Sequence, residues 1–437
     1  MTIGEVRSSL EGETLGQQLY DCVADLYPIC RSITGDGVRE TLRRLQRLTP
    51  LTVHEVPSGA EAFDWTVPRE WNVRDAYVKN SQGERVVDFR RSNLHVVNYS
   101  VPVRRRMSLA ELRPHLFTLP DKADWIPYRT SYYAESWGFC LSQRQLDSLP
   151  DGEYEVCIDS SLAPGSLTYG ECYLPGELTD EILISCHVCH PSLANDNLSG
   201  VAIAAYLGQA LSRISRRHSF RLLFIPGTIG SITWLSRNEP MIPRIRHGLV
   251  LACLGDGGRF TYKKSRRGDA VIDRAAQHVL RQLGDHEVQE FSPYGYDERQ
   301  FCSPGFNLPV GRLSRTPHGR FAEYHTSADD LDFVHPSQLA DSFAACLAIL
   351  EVLEGDRTYM SQNPKGEPQL GKRGLYHAIG GLAQAPANEM AMLWLLNLSD
   401  GEHSLLDTAE RSGCDFAIIR NAAAILCDFG LLKEVSM

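Results

Sequence analysis

Four stretches of the chain hold the residues best suited to chemistry. In Cys186-His187-Val188-Cys189-His190-Pro191-Ser192-Leu193-Ala194-Asn195-Asp196-Asn197, two imidazoles stand three positions apart and a carboxylate follows. Imidazole nitrogen and carboxylate oxygen are the donors that suit a borderline-soft ion such as zinc. An Asx cap at Asp196 beside surface histidines is the plainer alternative. Far downstream, Glu323-Tyr324-His325-Thr326-Ser327-Ala328-Asp329-Asp330 offers a third imidazole, with Asp329 and Asp330 able to orient it. Leu254-Gly255-Asp256-Gly257-Gly258 sets a carboxylate among glycines, which fits a ligand or a general base and equally a plain turn. In Tyr294-Gly295-Tyr296-Asp297-Glu298-Arg299-Gln300-Phe301, Glu298 could act as a base and Arg299 could grip a carboxylate bidentately. A solvated loop explains that stretch about as well. Cys186 and Cys189 form a C-x-x-C with no second pair, so a four-cysteine structural zinc site is not expected.

These residues need rigid elements to aim them. An apolar run over 181–186 reads as a strand leading into the first cluster, and a helix is expected near 198–213. A strand at 219–226 leads to Gly227-Thr228-Ile229-Gly230-Ser231 and another helix. A strand at 247–254 leads to Asp256. Helices over 269–283 and 337–354 follow. Such alternation predicts an α/β sheet with helices on both faces, whose site gathers at the carboxyl ends of the strands. His190, Gly227 and Asp256 all fall just past expected strands. Residues 15–48 read as helical and 50–57 as a strand. Between 66 and 157 short β-like runs cut by Gly, Pro and Asn-Ser predict a small β-rich insert. A linker is expected at 357–373. Beyond it three helices, at 390–398, 404–411 and 416–429, predict a winged-helix unit over 374–437.

Bulk properties narrow the function classes. A chain of 437 residues is long for one domain. Its 43% hydrophobic and 22% charged residues are ordinary for a globular protein. The formal net charge of −10 works against nucleic-acid binding, and 375–437 has few basic residues, chiefly Arg411, Arg420 and Lys433. No run of 18 apolar residues occurs, so no membrane span is expected. The polar start, Met1 to Glu13, lacks an apolar targeting core, and the twelve cysteines read as reduced thiols. A cytoplasmic location, a small-molecule or peptide substrate and a homo-oligomer are the expectations.

Taken together, Asp196-Asn197-Leu198-Ser199-Gly200 and Tyr324-His325-Thr326 resemble the zinc exopeptidase superfamily, with its aminopeptidase-like fold. Nearly the whole chain is similar to the bacterial DUF4910 family, often labelled polysaccharide-biosynthesis proteins. The phrases that carry this are Leu26-Tyr27-Pro28-Ile29-Cys30-Arg31-Ser32-Ile33-Thr34-Gly35, Phe63-Asp64-Trp65-Thr66-Val67-Pro68 and Cys189-His190-Pro191-Ser192. The resemblance implies an aminopeptidase-like domain from 1–65 and 158–356, a DUF2172-type insert at 66–157, and a C-terminal winged helix. It favours His190 over His187 as ligand, with Asp196 and His325 completing the set. Typical aminopeptidases place two glutamates after the next strand; Gly227 and Thr228 stand there in this chain. One zinc with water in an open position is therefore expected, rather than two. The base is then left open among Glu298, Asp256 and Glu323. His187, Arg299, Tyr296, Lys263 and Tyr324 are expected to face substrate.

Three functions follow. The first is a single-zinc hydrolase of amide bonds in a peptide or an N-acyl amino sugar. The second is a binding or regulatory protein on a degenerate hydrolase fold, motivated by the missing glutamates and the winged-helix tail. The third is an acyl transferase or cyclase using the same single metal.

Overall fold

The structure, a computed structural model, describes residues 2–375 and 387–435. These form two compact units, Met1–Asp273 with Asp285–Leu347, and Arg274–Gly284 with Ala348–Met437.

The first unit is built on an eight-stranded mixed sheet. Its strands are β1 (Thr52–Pro57), β2 (Ser166–Leu174), β3 (Glu181–His187), β4 (Ser219–Ile225), β5 (Ile245–Leu251), β6 (Phe260–Lys263), β7 (His286–Gln289) and β8 (Val310–Ser314), in the spatial order β1-β2-β4-β3-β5-β8-β6-β7. The central four, β4-β3-β5-β8, run parallel. Every residue of β3 and of β4 is buried. That explains why they read as continuous apolar runs rather than alternating ones. Each fully buried Leu or Ile of such a strand contributes about 1.5–3 kcal/mol by leaving water. Helices α1 (Gly12–Leu26), α2 (Asp36–Leu45), α3 (Gly200–Ser212) and α4 (Ile229–Arg237) accompany the sheet. On α1, Leu19, Val23 and Leu26 form the buried stripe at helical spacing. The sheet order reverses at β3, flanked by β4 and β5, so the carboxyl end of β3 opens onto a crevice.

The β-rich stretch has a four-stranded antiparallel sheet, ordered Arg85–Asp88, Glu70–Lys79, Glu153–Ala163, Val103–Ser108. It lies in the same compact unit as the main sheet, and its long strand runs on past the expected boundary at 157 to Ala163. The helix Pro336–Gly355 is long and apolar enough to cross a membrane by composition, yet 72% of its apolar window is buried inside the protein.

In the second unit, helices Ala387–Leu398, Leu405–Ser412 and Phe416–Asp428 accompany a three-stranded sheet. Ser404 caps the second helix in a reciprocal box with Asp407, Gly413 closes it at φ 71°, and Asp415 caps the third. The stretch expected to be a linker contains the strand Thr358–Ser361, the middle strand of that sheet, paired to Asp400–Ser404 and Leu432–Glu434. Its apolar content is too small to announce a strand; the pairing comes from distant partners. Residues 376–386 and 436–437 of the expected winged-helix range lie outside the described residues.

Candidate metal centre

The centre is assembled around Asp196, whose side chain is 0% exposed. It sits in Ala194–Ser199, between the loop after β3 and the first turn of α3. The polar residues of that segment stitch it to the end of β5. Asn195 donates to Asp256 Oδ2 at 2.9 Å and accepts from Gly255 N at 2.8 Å. Asn197 donates to Leu251 O at 2.9 Å, and Ser199 Oγ accepts from Leu254 N at 2.9 Å. Gly200 is required by the close approach: a β-carbon there would meet Leu251 O at 2.6 Å. The Asp-Asn-x-Ser-Gly phrase is thus a set of fasteners that hold Asp196 in place. Asp329 adds to them by accepting the backbone N–H groups of Asn195 at 2.6 Å and Asp196 at 3.0 Å. Burial, with the Asp196 charge nearby, pushes Asp329 up to about 8.

Three imidazoles converge on this carboxylate. His187, the last residue of β3, brings Nε2 to 2.9 Å from Oδ1. His190 brings Nδ1 to 3.3 Å from Oδ2, and the same nitrogen lies 3.0 Å from the backbone oxygen of Asp196. His325 brings Nε2 to 3.0 Å from Oδ2. Tyr296 donates its hydroxyl to Oδ1 at 3.0 Å and stacks on His187 with ring centroids 4.7 Å apart. Ligand atoms of His187, His190 and Asp196 all lie within 4.8 Å of one another. Burial works against charge on every imidazole. It holds His187 and His325 below their ordinary range, while at His190 the Asp196 carboxylate outweighs it and holds the ring well above. Burial would raise Asp196, but the histidines hold it well below the carboxylate range. His325 and Cys253 both take left-handed backbone, φ 55° and 56°, a strain of about 1–3 kcal/mol each that the surrounding packing holds in place. Cys253 Sγ lies 3.4 Å from the Tyr296 hydroxyl.

The donor set fits a zinc ion. It consists of imidazole nitrogens and a carboxylate, with His187 on a strand end, Asp196 before a helix, and His190 and His325 on loops, the last 33% exposed. Each ligand is braced from behind, as such sites require. Arg31, 1% exposed, donates Nε to His190 O at 2.9 Å and Nη1 to Leu26 O at 2.7 Å. Ser192 Oγ donates to Tyr27 O at 2.8 Å. The β-rich stretch supplies Tyr128, whose ring meets His190 and His325 edge-on at 5.3 and 5.1 Å and whose N–H donates to His325 O at 2.8 Å.

The other expected residues divide. His187, expected to face substrate, is 2% exposed and joins the carboxylate instead, because the last residue of a buried strand points inward here. Lys263 is also 2% exposed; it donates to Glu298 Oε1 at 2.9 Å and Tyr294 O at 2.8 Å, so it has no free face for an anion. Glu298 is thereby paired, with Arg312 3.6 Å from the same oxygen, and is held in an ion-pair network. Asp256 is saturated by Asn195, Gly258 N, Thr316 N and Thr316 Oγ1 and serves as an anchor. Tyr324 stacks on His325 at 3.9 Å. Glu323 and Arg299 are half-buried beside the loops that carry His325 and Tyr296. Sequence reading missed Tyr128, Cys253, Asp297 and the clamp role of Arg31. Only Arg31 and Asp297 lay inside phrases already singled out.

A family model described as "Domain of unknown function (DUF4910)" matches residues 20–356, and one described as a winged helix-turn-helix matches 357–434. A Clostridium acetobutylicum protein, named provisionally for polysaccharide biosynthesis and for an aminopeptidase-like domain, is 54% identical over 421 residues, covering 96% of this chain and 97% of its own. A crystal structure from the same organism, described provisionally as a peptidase, superposes with a TM-score of 0.95 at 51% identity, over 99% of this chain and 100% of that one. A zinc aminopeptidase of Bacillus subtilis shares the fold at a TM-score of 0.56 and 10% identity, over 77% of this chain and 94% of that one.

Proposed function

The chain belongs to the DUF4910 family, and from that premise we propose that it is a single-zinc hydrolase of amide or peptide bonds. The observation that carries this reading is the convergence of three imidazoles on one buried carboxylate at the carboxyl end of β3. His190, Asp196 and His325 would hold the ion, and the position of His187 adds it to the candidate ligands. When bound, zinc polarises a carbonyl and brings its water into the neutral pH range. The chain's own residues do the rest. Tyr296 holds the Asp196 carboxylate in orientation, and Tyr128 walls the site from the side of the β-rich stretch. Arg299 is the cation we assign to an anionic end of the substrate, since Lys263 is committed elsewhere.

The relative's name supports a substrate met in polysaccharide assembly, such as an N-acyl amino sugar, as well as a peptide. Purified protein is expected to contain about one zinc per chain, the pattern of a catalytic site with three protein ligands and an open position. His190→Ala and His325→Ala should each lower that content, read by elemental analysis. Full zinc retention in both variants would sink the assignment. Turnover of aminoacyl and N-acyl-hexosamine substrates in ¹⁸O-water should place the label in the product. A product without label would turn the reading to transfer or cyclisation. Gly227 and Thr228, which bear no carboxylate, motivate a second reading, a binding protein on this fold, for which a zinc-free, inactive wild type would be the sign.

A further inference from the structure

The end of β4 offers no carboxylate, yet one stands beside it. Asp297, 1% exposed, precedes the short helix Glu298–Phe301. Its Oδ1 lies 2.8 Å from Ser231 Oγ, while its Oδ2 is buried and has no hydrogen-bond partner. The same oxygen faces Gly227. A β-carbon built on Gly227 would lie 3.4 Å from Asp297 Oδ2 and 3.2 Å from His187 Cβ. The carboxyl therefore occupies the side-chain space that Gly227 leaves empty, on the flank of the first imidazole of the centre.

The hydrogen bonding around it points to a group that carries a proton. Ser231 Oγ lies 2.7 Å from Thr228 O and 2.8 Å from Asp297 Oδ1. One hydroxyl has one proton and cannot donate to both. Both contacts are satisfied when Asp297 itself holds a proton and donates to Ser231, which donates onward to Thr228. Burial, opposed by the Ser231 contact, pushes this carboxyl up to about 7; the Glu298 charge raises it further, and Arg299 and His190 act against that. A carboxyl poised there changes protonation state at little cost near neutrality.

We propose that Asp297 is a catalytic carboxyl of this centre, taking the proton of the attacking water and returning it to the leaving amine; this rests on the metal-centre reading above. In the step, a water O–H bond breaks and its proton passes to Asp297 Oδ2 as the oxygen bonds the carbonyl carbon. The C–N bond then breaks, and the proton on Asp297 passes to nitrogen. The products are a carboxylic acid and an amine, and Asp297 is ionised again. Gly227 suits the arrangement, because a β-carbon there would crowd His187 at 3.2 Å and fill the space in front of Asp297 Oδ2.

The test uses the full-length, zinc-loaded chain and acetohydroxamate as probe, a ligand that gives up a proton when it binds a metal. Calorimetry in two buffers of different ionisation enthalpy, at about pH 8, counts the protons that reach solvent. Wild type should release about one proton fewer per ligand bound than Asp297→Asn, because ionised Asp297 takes up a proton whatever the state of the displaced zinc water. Asp297→Asn, with unchanged zinc content and thermal stability, lacks that uptake and should show the difference in full. Asp297→Glu should lie closer to wild type. Equal proton release from wild type and Asp297→Asn, with zinc content intact, would overturn the role of Asp297 alone. A wild type that holds no zinc would overturn the reading beneath it.

Discussion

At the scale of single residues, the centre depends on partners that orient its carboxylate. Tyr296 donates to the oxygen of Asp196 that His187 also approaches. Tyr296→Phe keeps the ring stack and removes that bond together with the Cys253 contact, so zinc affinity should fall about 10–100-fold, measured by competition with a chromophoric chelator. The Lys263–Glu298 pair makes a different prediction. Both side chains are buried, and Arg312 lies against the same carboxylate. Glu298→Ala strands two buried cations and should destabilise the protein by about 3–5 kcal/mol in urea unfolding. Had Glu298 been the base, the loss would fall on turnover instead of stability. His190, Asp196 and His325 were singled out because the phrases around them resemble the family's, whereas residue type and spacing alone left His187 and His190 level. The burial of Lys263 could not, because a lysine beside glycine-rich loops reads the same whether it faces water or a glutamate.

At the scale of elements, the loop that carries His190 is held by a segment distant in sequence. Arg31 reaches from the Leu26–Gly35 phrase to His190 O, and Ser192 returns the contact at Tyr27 O. Arg31→Met keeps the volume but frees the loop. It should weaken zinc binding about 10–100-fold while secondary structure, followed by circular dichroism, stays constant. The strands and helices around this loop were legible because β3 and β4 are apolar throughout and the helices have clean periodicity. Thr358–Ser361 was not, because a four-residue strand in a small sheet draws its stability from cross-strand partners rather than from its own sequence. The β-rich stretch was recognisable as β, but its contribution of Tyr128 to the centre depends on a long-range fold that periodicity does not encode.

At the scale of the whole molecule, the winged helix invites comparison with DNA-binding modules, and the few cations on its third helix set the expectation of weak duplex binding. On Phe416–Asp428 the exposed positions include Asn421, Ala424 and Asp428, and Arg420 is engaged by Glu351 at 2.8 Å. A helix so placed offers little to phosphate, and the chain carries a net charge of −10. Duplex DNA should bind no more tightly than the roughly 10⁻⁴–10⁻⁶ M typical of non-specific contacts at physiological salt, in a gel-shift or anisotropy titration. The spread of the centre along the chain also has a consequence in time. Asp196 and His325 are 129 positions apart. On a ribosome adding about 5–20 residues per second, the first two histidines and Asp196 would emerge roughly 6–26 s before the last imidazole is made. A nascent chain thus passes through an interval with three of its four candidate ligands, and the full set exists only once His325 has been made.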